Sequence, residues 1–194
     1  DLEFFCGGTL RRLYEAGAAI HALVLTDGEK GGNLKGLGTI RQQEEKRAAQ
    51  LLGYQSLQFG HLPDFGLPHD PRLLPLIDRA WSEIRPDLVL AFDPRGMEPG
   101  FVNRDHTTLG KAVIQVARRK LGGRSTVCFY ATRHPNILVN IDRQIDWKIR
   151  AVLCHRSQLR FLPVSGYPRL IRFFGSLFAA WAPCRYAEPL YRLF

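Results

Sequence analysis

Carboxylates and imidazoles gather at three places along the 194 residues: Asp1 and Glu3 at the start, Asp27 and Glu29 after the first apolar run, and Asp93 followed by Asp105-His106. Aspartate oxygen together with histidine nitrogen is a donor set that borderline Zn2+ accepts. Zinc so held polarises a carbonyl and lowers the pKa of a bound water to about 7, which is the chemistry of hydrolysis. On spacing alone, two roles stay open for each group. Asp1 and Glu3 precede the periodic run Leu10, Leu13 and Tyr14, closed by Gly17. Carboxylates there either bind a cation or cap a helix at the positive end of its dipole, and capping is the commoner role. His106 opens another helical run, where it is a ligand or an ordinary hydrogen-bonded histidine.

The elements that must position these groups alternate. Residues 18–26 (AAIHALVLT) are nearly continuously apolar, as in a strand buried on both faces, and end at the polar Thr26-Asp27-Gly28-Glu29. The Gly-rich stretch 31–38 lacks the Gly-Lys-Ser/Thr ending of a phosphate loop and reads as an active-site loop. Thr39 is the expected N-cap of a helix over 40–52, with Ile40, Glu44, Arg47 or Ala48, and Leu51 along one face and Gly53 as its stop. Further strands are expected at 56–59, 87–92 and 126–130. Further helices are expected at 72–84, at 107–120 with Gly122-Gly123 ending it, and at 142–159. Alternation of this kind predicts an α/β fold, a Rossmann-like three-layer α/β/α domain with a mainly parallel sheet over residues 1–160. Such sheets carry their sites beyond the carboxyl ends of the strands, so residues about a hundred apart can meet there.

Residues 161–194 are expected to form an amphipathic extension of the same domain. Leu170, Phe173, Phe174, Leu177, Phe178 and Trp181 recur at helical spacing beside Arg169 and Arg172. Such a stripe either closes over the core or lines a dimer interface, the commoner outcomes, or rests on a membrane surface with its arginines toward anionic lipid.

Composition narrows the partners. A net charge of +9 favours anionic ones, such as phospholipid headgroups or a phosphorylated substrate. Nucleic acid ranks below these because no RNA- or DNA-binding motif accompanies the charge. Cys6, Cys128, Cys154 and Cys184 have no C-x-x-C spacing, which points to reduced thiols in a cytoplasmic compartment. No run approaches the roughly 20 apolar residues that span a bilayer.

The opening Asp1-Leu2-Glu3-x-x-Cys6-Gly7-Gly8-Thr9-Leu10 resembles the PIG-L/LmbE-like zinc deacetylases just after their His-Pro-Asp-Asp motif begins. The likeness continues in order through Leu25-Thr26-Asp27-Gly28, Ile40-Arg41-x-x-Glu44, Ala48-Ala49-x-x-Leu52-Gly53, Leu62-Pro63-Asp64 and Pro86-Asp87-x-Val89. Asp105-His106 looks like the end of the family's His-x-Asp-His. Lys148, Ala151, His155-Arg156-Ser157-Gln158 and Tyr186-Ala187-Glu188 look like its C-terminal landmarks.

The resemblance implies a zinc-dependent hydrolase removing the N-acetyl group of a GlcNAc-type sugar conjugate, with Asp1 and His106 as metal ligands and Zn2+ as cofactor. It also implies that the family's other ligating His and its general-base Asp, with a preceding strand, lie upstream of Asp1. Asp105 would support an imidazole nitrogen. Asn103 stands where many members carry the first His of His-x-Asp-His; it can donate a hydrogen bond to an oxyanion but cannot transfer a proton. Arg41, Asp27 and Asp93 are expected either to contact sugar hydroxyls or a phosphate or to be ordinary loop and helix charges. The rival expectation is a catalytically impaired relative that binds a glycoconjugate or nucleotide-sugar, favoured by Asn103. Peripheral membrane contact through 169–181 is a further expectation.

Overall fold

The computed structural model of the chain describes residues 1–96, 103–120, 125–159 and 163–193. Six helices and six strands follow one another as α1 (Leu2–Glu15), β1 (Ile20–Thr26), α2 (Leu37–Leu52), β2 (Tyr54–Leu62), α3 (Leu73–Ile84), β3 (Leu88–Phe92), α4 (Arg104–Arg119), β4 (Thr126–Tyr130), β5 (Ile137–Asn140), α5 (Ile145–Val152), α6 (Tyr167–Ala179) and β6 (Ala187–Arg192). β1 pairs with β2 in parallel. A second sheet runs β3-β4-β6-β5, parallel between β3 and β4 and antiparallel wherever β6 takes part.

The expected three layers are present. On one face, α3 and α4 bury Ile77, Trp81, Val113 and Val116 against Leu25, Leu62, Ala91 and Phe129 of the strands. On the other, α1, α2 and α5 bury Cys6, Leu10, Ala48, Leu52 and Ala151 against Ile20, Phe92, Cys128 and Tyr130. The first cluster contains strands of both sheets, so the two sheets share one core.

Several local expectations change. α2 begins at Leu37 behind Gly36, whose positive φ of 72° suits a residue without Cβ, and Thr39 lies inside the helix rather than capping it. Its buried face is Leu37, Glu44, Glu45, Ala48, Ala49 and Leu52, while Ile40 is exposed. α5 stops at Val152, and a separate 3-10 turn covers Arg156–Gln158. β5 and β6 were not anticipated. The Gly122-Gly123 stop and the boundary at residue 160 lie outside the described residues.

The last segment divides in two. β6 lies inside the sheet between β4 and β5, whereas α6 packs on the outside. The face of α6 that meets the protein is Tyr167, Ile171, Gly175 and Ala179. The predicted stripe is therefore split: Leu170 packs against the core cluster of Ile141, Ile145 and Ile171, Phe178 is half-buried, and Phe173, Phe174, Leu177 and Trp181 are exposed.

Two close approaches seat the helices that carry the site. A Cβ on Gly8 would come within 2.8 Å of Ile141 Cγ2, so α1 packs at a depth open only to glycine. A Cβ on Gly110 would stand 2.4 Å from the Phe92 carbonyl oxygen and 2.8 Å from Pro94 N. That contact brings α4 onto the end of β3, one turn after His106.

Candidate metal centre

Asp1 stands at the N-cap of α1, yet its side chain makes no capping hydrogen bond. Instead Asp1 Oδ2 lies 3.2 Å from His106 Nε2, both side chains being partly open to solvent (53% and 32% exposed). His106 comes from the first turn of α4, and its ring stacks on Phe92 at the end of β3, with centroids 3.7 Å apart and planes 7° from parallel. Burial lowers the His106 imidazole well below its ordinary value, against the opposing pull of Asp105 and Asp64. At neutral pH the ring is therefore uncharged and keeps a lone pair for a metal.

Donor atoms about 2.0–2.1 Å from a tetrahedral zinc lie about 3.3 Å from each other, close to the spacing observed. A carboxylate spared from capping and a neutral imidazole beside it fit two of the three protein ligands that a catalytic zinc uses.

The other expected site residues separate into supports and periphery. Asn103 caps α4, its Oδ1 accepting from Asp105 N at 2.9 Å. Asp105 is buried and accepts from Leu67 N at 3.1 Å, tying the turn after β2 to α4, while its Oδ2 is buried without a hydrogen-bond partner. Asp93 is buried too, and Arg95 grips both of its oxygens at 2.6–3.2 Å. Burial pushes the Asp93 carboxyl up, but Arg95 and Thr132 outweigh it and hold it below the ordinary range. Asp27 meets Gln42 Nε2 at 2.8 Å and His61 Nδ1 at 3.0 Å. Arg41 lies across Gly28 and Gly31, with Nη2 3.4 Å from the Gly31 carbonyl, and so braces the loop after β1.

Behind Asp1 lies a group that spacing did not single out. Glu3, Glu45 and His155 are all buried and each offers an oxygen or nitrogen within 4.8 Å of the others, the one group of three or more such side chains among the described residues. His155 Nε2 stands 3.3 Å from Glu3 Oε2 and 3.9 Å from Glu45 Oε2, and Tyr54 Oη donates to Glu3 Oε1 at 3.1 Å. Burial raises the Glu3 carboxyl, but the hydrogen bond and charge of His155 oppose it, and the carboxyl lies below its ordinary range. Burial, then the Glu3 charge, pushes Glu45 up to about 7.

This triad could hold a cation, but it is closed to substrate, whereas the Asp1–His106 pair is open. Its evident work is to fix the first turn of α1, which carries Asp1. The sequence held one signal for it: Glu45 shares the i, i+3, i+4, i+7 face with Ala48, Ala49 and Leu52.

Glu45 carries a pH dependence of stability. Its folded pKa of about 7 exceeds the ordinary 4.5, so its contribution is full below 4.5 and is lost as pH rises through 7. Glu45→Gln keeps the neutral form at every pH. The variant is expected to melt several degrees above the parent at pH 8 and to lose much of the parent's decline between pH 5 and 8, as read by circular dichroism. A variant melting below the parent at pH 8 would mean that Glu45 works as a charged, paired carboxylate.

With this geometry in place, comparison with known proteins is specific. The profile of the family described as PIG-L, GlcNAc-PI de-N-acetylase, matches residues 1–117. A diacetylchitobiose deacetylase of Thermococcus kodakarensis is 33% identical over 179 residues, covering 81% of this chain, and the chain spans 66% of that relative's length. A probable N-acetyl-α-D-glucosaminyl L-malate deacetylase 2 of Bacillus cereus is 26% identical, with 81% of this chain and 79% of the relative covered. The fold matches a solved N,N'-diacetylchitobiose deacetylase from Pyrococcus horikoshii with a TM-score of 0.86 at 24% identity, covering 100% of this chain and 79% of that one.

Proposed function

Since this chain belongs to the GlcNAc-PI de-N-acetylase (PIG-L) family, we propose that the protein is a zinc-dependent hydrolase removing the acetyl group from an N-acetylglucosamine-type sugar conjugate. The observation that carries the reading is the Asp1–His106 pair: an uncapped carboxylate 3.2 Å from a neutral imidazole at the carboxyl end of β3. Zinc bound there would polarise the acetamide carbonyl and lower the pKa of a water.

The chain's own residues do the positioning. Phe92 fixes the plane of His106, and the Glu3–His155–Glu45 group fixes the turn bearing Asp1. Asp105 holds the turn at Leu67 against α4. Asn103 spends its carbonyl oxygen on the cap, so its NH2 end is the donor that would serve a developing oxyanion. Arg41 and Asp27 brace the loop beyond β1, at the rim where sugar hydroxyls would lie.

The second reading, a relative that binds a glycoconjugate without cleaving it, rests on Asn103, which cannot give a proton to the leaving amine. One experiment separates the two. Zinc content is measured by elemental analysis on the full-length protein, and acetate release is followed with N-acetylglucosamine, diacetylchitobiose and an N-acetylglucosaminyl malate. The expected outcome is zinc-dependent acetate release from at least one of them. Stoichiometric zinc with no turnover on any would sink the enzyme reading and favour the second.

A further inference from the structure

The outer face of α6 is more apolar than solvent exposure favours, and only Phe174 of it meets another element, through Phe4 of α1, among the ring contacts of the described residues. Phe173, Phe174 and Leu177 are 60%, 40% and 47% exposed, and Trp181, just past the helix end, is 76% exposed. Four large apolar side chains on one outer face form a contiguous patch of the kind that marks an interaction site.

Charge says what covers it. No Asp or Glu stands between Asp146 and Glu188, while Arg150, Arg156, Arg169, Arg172 and Arg185 do. Asp146 is already taken up by Arg172 at 2.6 Å, Asp142 accepts from Arg185 N and Tyr186 N at 2.9 and 2.7 Å, and Glu188 is buried. Arg169, one helical turn before Phe173, and Arg185, four residues after Trp181, are exposed. A second copy of the chain would bring the same arginines to the contact. An anionic bilayer instead accepts both components: aromatics enter the headgroup boundary while arginines meet lipid phosphate.

The patch is also joined to the metal centre. Phe174 meets Phe4 edge-on at 6.3 Å, Phe4 meets Phe5 at 5.3 Å, Phe5 meets Phe92 at 5.7 Å, and Phe92 carries His106. Four aromatic contacts in series thus connect α6 to His106.

We propose that the Phe173–Trp181 face of α6 docks the protein on an anionic lipid bilayer. This goes beyond the deacetylase reading and does not depend on it, because the test reads binding and not turnover. The full-length protein is sedimented with vesicles of phosphatidylcholine alone and of phosphatidylcholine with phosphatidylserine, in low and high salt.

The expected result is sedimentation only with the phosphatidylserine vesicles, weakened by salt. In Phe173→Asp plus Trp181→Asp the bound fraction is expected to fall at least about tenfold, since the wedge of apolar area is replaced by charge that anionic lipid repels. Both positions are exposed, so the variant's thermal melt should match the parent's; a variant that fails to fold is replaced by Arg169→Glu plus Arg185→Glu, with the same loss expected. Equal sedimentation of parent and variant, or none of the parent with either vesicle, overturns the proposal. So does a concentration-dependent dimer by analytical ultracentrifugation that the variant abolishes, which would assign the face to a second copy.

Discussion

His106→Ala is expected to remove the bound zinc of the full-length protein and to lower acetate release by more than about 100-fold, since loss of an outer partner to a metal ligand alone costs 10–100-fold. The imidazole is difficult to replace because three features set it at once. It leaves the first turn of α4, it is stacked on Phe92 at 3.7 Å, and it faces Asp1 Oδ2 at 3.2 Å. Its lowered pKa means that no proton has to leave before a metal binds at neutral pH.

Stability should hardly move, because the ring is a third exposed and its removal opens no sealed cavity. Elemental analysis, acetate release and a thermal melt on the same preparation check the three parts separately. Full zinc occupancy in the variant would place the metal elsewhere, and the buried Glu3–Glu45–His155 group would then be the first alternative to test.

The largest effect on stability is expected from Glu188→Ala. Glu188 is buried in β6, where its two oxygens accept from Gly8 N at 3.0 Å, from Thr9 N and Oγ1 at 2.6 Å, and from Lys148 Nζ at 2.5 Å. One carboxylate thus joins the last strand to α1 and α5. Removing it leaves the buried Lys148 ammonium without its partner and strips α1 of three hydrogen bonds. Breaking a buried pair in this way costs about 3–5 kcal/mol.

The double variant Glu188→Met plus Lys148→Met removes both charges and is expected to recover part of that loss, though the Gly8 and Thr9 N–H groups stay unserved. Urea midpoints of parent, single and double variants measure it. A single variant within about 0.5 kcal/mol of the parent would show that water replaces the carboxylate. Because α1 carries Asp1, the single variant should also bind zinc more weakly.

Some of this was legible in the chain itself. Short apolar runs separated by amphipathic helices are local patterns, and they located β1, β3, β4, α3 and α4 within a few residues, because backbone periodicity and turn chemistry act over short range. The order of motifs likewise pointed to Asp1 and His106, since a metal constrains residue type wherever the fold carries it.

Other features had no local signature. β5 and β6 are short and partly polar, and become strands only because β6 finds the edge of β4 and β5 in turn finds the edge of β6. The apolar stripe of α6 could not say which side faces inward; Gly175 and Ala179 do, because Tyr186 presses against Gly175 too closely for a larger side chain to fit easily.

Which carboxylates meet also belongs to the tertiary structure. Asp93, expected at sugar hydroxyls or a phosphate or as an ordinary charge, is held by Arg95, while Glu45, which no motif singled out, is buried beside Glu3 and His155. By itself the sequence determined the layered α/β fold and named Asp1 and His106 as candidate metal ligands, because both are written in local pattern and motif order. Only the tertiary structure decided that Asp1 is freed from capping to face His106, that a buried acid–imidazole group stands behind it, and that α6 turns its aromatics outward. The reason is physical: burial and the approach of charges distant in sequence depend on how helices and strands pack, and no short window of residues contains that information.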